Sequence, residues 1–119
     1  MKKSRISTKY IYKICNKSEW SNFKKNKKFI GTKKDLLDGF IHLSEKKQIK
    51  TTLIKHFINK KSLVLLKINT KNLKSLIWEK STNGIFFPHL YSFIRLDDIN
   101  NSYKIVFKKN ILNIIPYKN

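Results

Sequence analysis

The sequence predicts an α+β domain, and three observations predict it. Tyr10 to Cys15 alternates aromatic and aliphatic residues as a strand does, Ile49, Leu53, Ile54, Phe57 and Ile58 recur at helical spacing, and Ser62 to Ile68 contains the unbroken run Leu-Val-Leu-Leu. A length of 119 residues suits one domain over 1–119, since domains peak near about 100–150 residues and a shorter chain could not hold two separate cores. The hydrophobic share of 40% is enough for a β-containing core and argues against global disorder.

The elements follow in order. Residues 1–8 are polar and basic and are expected to be disordered. After the strand at Tyr10 to Cys15, Ser18 is placed to cap a short helix with Glu19 in its first turn, and Trp20 and Phe23, three apart, share its inner face. Lys24 to Lys28 reads as a solvated end. Gly31 to Gly39 reads as a loop with a turn of helix at Lys33 to Leu37, Gly39 turning the backbone into a strand at Phe40 to Leu43. Ser44 then caps a long helix over about 45–58. The Leu-rich run has the form of a central strand covered on both faces. Leu76 to Glu79 is a further strand, Asn83-Gly84 a turn, and Pro88 argues that Ile85 to Tyr91 is not an ordinary central strand. Leu96 to Ile99 is a short helix or turn, and Ser102 to Lys108 and Ile111 to Ile115 are the last strands.

Charge and cysteine usage bound the function. The formal charge of +20 suggests a polyanionic partner held through phosphate contacts. Lys, Asn and Ile make up 54 of the 119 residues, however, as an AT-rich genome would encode, so part of that charge has a compositional origin. Arg, the better side chain for bidentate phosphate recognition, occurs only as Arg5 and Arg95. Cys15 stands alone, which excludes an internal disulfide, and at a strand end it reads as a small apolar filler. No apolar run of signal-peptide or membrane-spanning length is present, so a cytoplasmic, monomeric protein without membrane contact is expected.

Two blocks carry candidate chemistry: Asp38-Gly39-Phe40-Ile41-His42-Leu43-Ser44 and Phe87-Pro88-His89-Leu90-Tyr91. Strand alternation puts Phe40, His42 and Ser44 on one face and Ile41 and Leu43 on the other, so a core-facing Ile-Leu pair leaves His42 and Ser44 together. That face lines a cleft or is plain surface. In the second block, aromatic rings suit a base or nicotinamide ring, and the His89 nitrogens and the Tyr91 hydroxyl suit an amide or ribose oxygen, unless the block is simply core. Glu79, beside Trp78, could hold a ribose hydroxyl or stabilise charge at an anomeric carbon, or pair with a surface lysine. Of the histidines, His56 reads as a packing residue beside Phe57, and no pair has the spacing of a helical metal site, so no metal is expected.

The Tyr12-Lys13-Ile14 strand, Trp20, the Gly39 to Ser44 block, the Leu-rich strand, Trp78-Glu79 and the Phe87 to Tyr91 block occur in a fixed order over about 10–107. That order resembles the small bacterial family called domain of unknown function 952. The resemblance implies an ADP-ribosyltransferase-like fold: a split, mostly antiparallel sheet around a cleft, with a His, a Ser or Tyr and a Glu supplied from separate strands. His42, Glu79 and Tyr91 then fit catalytic roles, and Ser44, His89, Tyr12 and Lys13 fit cofactor binding, with NAD as the cofactor. The chain lacks an acidic Glu-x-Glu element near its end, which argues against protein ADP-ribosylation.

The expected function is accordingly a cleft for NAD, ADP-ribose or a related nucleotide, acting on the ribosyl bond or a phosphate. The alternative is a non-catalytic module that binds RNA or another polyanion through its lysines and is indifferent to the cleft residues.

Overall fold

The computed structural model describes residues 8–109 and 111–117, so the expectation for 1–8 lies, apart from Thr8, outside the described residues. In chain order the elements are β1 (Tyr10–Asn16), α1 (Lys17–Asn26), β2 (Lys28–Phe29), α2 (Lys33–Asp38), β3 (Ile41–His42), a 3-10 turn (Lys46–Gln48), α3 (Ile49–His56), β4 (Leu63–Asn69), β5 (Leu76–Lys80), β6 (Phe86–Leu90), β7 (Ile94–Arg95), a second 3-10 turn (Leu96–Asp98), β8 (Ile99–Lys108) and β9 (Ile111–Pro116). The strands pair antiparallel into a four-stranded sheet in the order β1-β4-β8-β9, a three-stranded sheet in the order β3-β6-β5, and a short β2-β7 pair. An α+β architecture with antiparallel sheets is what the strand and helix periodicities predict.

The apolar run of β4 is explained by its position. Val64, Leu66 and Ile68 pack on one side with Ile11, Cys15, Phe23, Phe29, Ile41, Leu90 and Ile94, whereas Leu63 and Leu65 pack on the other with Tyr12, Ile14, Ile49, Leu53 and Ile105. Both faces are therefore covered, and alternation into water is not available to this strand. Strand β1 divides its residues in the same way and carries Lys13 on the face of Ile11 and Cys15.

Several boundaries differ from those the sequence predicts, each for a tertiary reason. Helix α1 starts earlier than Ser18, because Asn16 and Glu19 satisfy each other's backbone: the Glu19 N–H donates to Asn16 Oδ1 at 2.7 Å and the Asn16 N–H to Glu19 Oε1 at 2.8 Å. Lys28, expected in a solvated end, instead pairs with Arg95 in the β2-β7 ribbon. The long helix over about 45–58 is a 3-10 turn followed by the short α3, which ends at His56. Ser44 does not cap it: its hydroxyl meets Thr52 Oγ1 at 3.2 Å, and its N–H and C=O are held in a bridge to Tyr12 at 2.9 and 2.8 Å. Helical backbone begins only after Glu45, whose N–H is taken by Gln48 Oε1 at 2.9 Å. Of the five residues at helical spacing, Ile49 and Leu53 are buried and Phe57 half-buried, while Ile54 and Ile58 are exposed.

Pro88 sits in the middle strand of its sheet, against expectation. Its carbonyl accepts the Leu43 N–H at 3.1 Å, and N–H and C=O of one strand residue point the same way. The donor that proline lacks therefore faces Leu43, just past the end of β3 at His42, so the missing bond falls at the end of that pairing and not within it.

Among the described residues no helix is long and apolar enough to cross a membrane.

Candidate functional site

The site is organised by a residue that the sequence did not single out. Asp35, in α2, has a side chain only 2% exposed, yet it gathers three elements. Its Oδ2 accepts the Thr32 N–H at 2.8 Å and Lys13 Nζ at 2.9 Å, and its Oδ1 accepts Lys13 Nζ at 3.1 Å and the His42 N–H at 3.1 Å. His42 Nδ1 lies 2.6 Å from the same Oδ1. Burial alone would raise the Asp35 pKa, but the His42 hydrogen bond, the Lys13 charge and hydrogen bond and the Thr32 N–H outweigh it, so the carboxyl is held well below the usual carboxylate range. Lys13, equally buried, gives its third contact to the His42 carbonyl at 2.9 Å. The signal for Asp35 was present locally: Thr32-x-x-Asp35 is a capping-box spacing, and the Asp35 N–H does return a bond to Thr32 Oγ1 at 3.2 Å.

A pH dependence follows from this depressed carboxyl. The folded state binds fewer protons at Asp35 than the unfolded state, whose pKa is near ~4, so the stability it confers is complete above that value and is lost as pH falls toward the folded pKa. Denaturant unfolding from pH 6 downward should show stability declining below roughly pH 4–5 in the wild type, with a flatter profile in Asp35→Asn.

Gly31 is required by the same carboxylate. Its φ is +129°, and a Cβ added there would lie 2.8 Å from Asp35 Cβ. Gly31→Ala is expected to cost about 1–3 kcal/mol, read as a lowered thermal midpoint, because a disfavoured backbone and a side-chain clash coincide.

His42 and His89 face each other across the β3-β6 register, with ring centroids 5.8 Å apart. Phe40 lies against both, stacked on His89 at 4.0 Å and tilted against His42 at 4.5 Å. His42 is held at both ring nitrogens, Nδ1 by Asp35 and Nε2 by Asp38 Oδ2 at 3.0 Å. His89 is held at one, its Nδ1 lying 2.8 Å from Glu79 Oε1. That same oxygen accepts the Tyr91 hydroxyl at 2.5 Å, and these bonds, Tyr91 first and His89 second, keep the Glu79 carboxyl below its ordinary range. Glu79 reaches His89 on the diagonal of the β5-β6 pair: its direct partner is Phe87, and His89 lies two residues further along β6 on the same face. The hydrogen bond to Glu79 in turn raises the pKa of Tyr91.

A cavity of about 600 Å³ opens beside this cluster. Among the predicted site residues, Tyr12, Lys13, His42, Ser44 and His89 line it, whereas Glu79 and Tyr91 stand behind His89 and do not. Ser44 is buried and turns its hydroxyl to Thr52 Oγ1 at 3.2 Å rather than toward the His42 ring. The rest of the wall was not foreseen. Much of it comes from α2 and the residue before it (Thr32, Lys33, Lys34, Asp35), from α3 and its end (Thr51, Thr52, Lys55, His56, Phe57), and from Lys60 and Lys61, with Glu19, Ile85 and Phe87 among the others. His56 is thus an exposed wall residue and not a packing residue, with its pKa lowered by burial and by Lys55, Lys34 and His42. Its neighbour Phe57 takes the half-buried position instead, because α3 turns its buried stripe through Ile49 and Leu53.

The open edge of β1 forms another part of the wall. Tyr12 directs its N–H and C=O away from β4, to Ser44, so alternation directs those of Ile14 the same way, into the cavity. Cys15, the next residue along the strand, is buried on the core face, and burial, followed by the nearby Glu19, pushes its thiol up to about 12. It is a packed thiol, as its strand-end setting predicts.

The chain is similar to solved structures of protein CC0527 from Caulobacter crescentus. Its crystal structure shares 35% identity at a TM-score of 0.80, covering 91% of this chain and 93% of that one. The crystal structure of a double mutant of the same protein gives 34% identity and a TM-score of 0.79 over the same shares. The solution NMR structure gives 36% identity and a TM-score of 0.76, covering 87% of this chain and 90% of that one. No curated protein matches the sequence. The family model described as protein of unknown function (DUF952) matches residues 14–102, a span that runs from β1 into β8 and takes in Asp35, His42, His89 and Glu79. The chain belongs to the DUF952 family.

Proposed function

We propose that the cavity binds a phosphate-bearing, nucleotide-like small molecule of the NAD and ADP-ribose class. One observation carries this reading. A cavity of about 600 Å³, within the size range of small-molecule sites, has a charged rim built from Lys33, Lys34, Lys55, Lys60 and Lys61; Lys34 also pairs with Asp38 at 3.4 Å, and the acids among the described lining residues are Glu19 and Asp35, the latter already neutralised by Lys13. Such a rim favours phosphate or pyrophosphate. The outward N–H and C=O of Ile14 offer a donor and an acceptor to a carboxamide or a base edge, and Phe57 and Phe87 offer apolar wall. A cleft beside a split, antiparallel sheet is also what an ADP-ribosyltransferase-like architecture would provide.

Binding is favoured over cleavage of the ribosyl bond. A developing charge at an anomeric carbon calls for a free carboxylate in the cavity. Asp35 is locked by Lys13 and His42, Glu19 is spent on the start of α1, and Glu79 lies behind His89.

Calorimetric titration with ADP-ribose, NAD and adenosine tests the proposal. Saturable binding of the first two is expected, with adenosine, which lacks phosphate, weaker by at least ~1.4 kcal/mol, or tenfold. Equal binding of adenosine, or no binding at all, would contradict it. The second reading, a polyanion-binding module, is favoured by the +20 charge and predicts RNA binding that falls steeply with salt and survives His42→Ala.

A further inference from the structure

The two histidines differ in what is left free, and this assigns them different roles. Both ring nitrogens of His42 meet carboxylate oxygens, Asp35 at 2.6 Å and Asp38 at 3.0 Å. His89 meets a carboxylate only through Nδ1, and among the described residues its Nε2 has no hydrogen-bond partner, while the ring contributes to the cavity wall. A carboxylate can only accept, so the bond to Glu79 places a proton on Nδ1, and in the neutral ring Nε2 then carries the lone pair. Phe40, stacked at 4.0 Å, prevents the ring from tilting away, and Tyr91 anchors the same carboxylate oxygen by donating its hydroxyl. A carboxylate that fixes the tautomer and orientation of an imidazole in this way leaves a base at the opposite nitrogen.

We infer that His89, and not His42, is the base of the cavity: its Nε2 accepts the hydrogen of a sugar-type hydroxyl on the bound molecule, with Glu79 and Tyr91 as positioning residues. If that hydroxyl is deprotonated, its O–H bond breaks as the Nε2–H bond forms, the electron pair stays on the oxygen, and the resulting imidazolium charge is held against Glu79. The class of ligand rests on the nucleotide reading above; the free lone pair does not.

Two measurements on the free protein test the assignment. Long-range proton–nitrogen NMR spectra should show His89 protonated at Nδ1 and bare at Nε2, a preference lost in Glu79→Gln, whose side chain lies partly exposed and outside the core. Diethyl pyrocarbonate, which acylates an unencumbered imidazole nitrogen, should label His89 before His42, with the exposed His56 as internal reference. That order runs against accessibility, since the His42 side chain is 31% exposed and that of His89 is 14%. An Nε2–H tautomer at His89, or labelling of His42 at the rate of His89, would overturn the inference. Adding ADP-ribose separates the two claims. Protection of His89 supports both. Saturable binding that leaves His89 reactive overturns the hydroxyl contact. A bare Nε2 with no binding leaves the assignment of the base standing and removes the nucleotide reading.

Discussion

Replacing Asp35 by Asn should destabilise the protein by about 3–5 kcal/mol, measured as a shift in the denaturant midpoint at neutral pH, because it leaves a buried cation without its countercharge. Lys13 is 5% exposed and Asp35 2%, so water cannot take the place of the missing partner. The carboxylate also accepts the Thr32 N–H and both the backbone and ring nitrogens of His42, and an amide oxygen, being neutral, binds each more weakly. Lys13→Met alone should be destabilising for the mirror reason, an unpaired buried carboxylate. The Lys13→Met, Asp35→Leu double variant should lose less than the sum of the two, since an ion pair replaced as a pair leaves no orphaned charge. Additive losses would mean that the two side chains do not depend on one another.

The second large effect is expected at Leu53. This residue is 1% exposed on the inner stripe of α3, where it packs with Tyr12, Ile14, Ile49, Leu63, Leu65 and Ile105. Leu53→Ala should cost about 2–5 kcal/mol through lost burial and the void left behind. Ile54→Ala, one residue along but on the exposed side, should stay within roughly 0.5 kcal/mol of wild type. The contrast has a functional consequence. Helix α3 brings Thr51, Thr52, Lys55 and His56 to the cavity, so loosening its anchor should weaken any ligand of that cavity while Ile54→Ala leaves affinity unchanged.

How much of this was legible in the sequence depends on whether a residue's role is set by its neighbours along the chain. Strands β1, β4 and β8 could be read because alternation and burial on two faces are written into consecutive residues. The same alternation put Ile41 and Leu43 in the core and left His42 outside it, and the Phe87 to Tyr91 block did come to lie opposite, through the register His42 to His89. The truncation of the expected long helix could not be read, because the bridge that occupies the backbone of Ser44 comes from Tyr12, far earlier in the chain. Asp35 was missed for a related reason. An acid flanked by Lys33 and Lys34 looks like a solvated residue, and only the fold places it against Lys13, 22 residues away. Glu79 was noticed as an acid in a strand, but its diagonal reach to His89 and Tyr91, which turns it from a cavity group into a support, exists only once β5 and β6 are paired.

Amide and side-chain NMR shift mapping with ADP-ribose at moderate salt tests the central claim most directly, using wild type, His42→Ala and a Lys33→Glu, Lys55→Glu rim variant. The account predicts saturable shifts confined to the cavity wall at Lys13, Ile14, His42, Ser44, Thr52 and His89, weakened by the rim variant. Shifts scattered over the lysine surface that disappear with added salt and are indifferent to His42→Ala would contradict it and make the protein a polyanion-binding module.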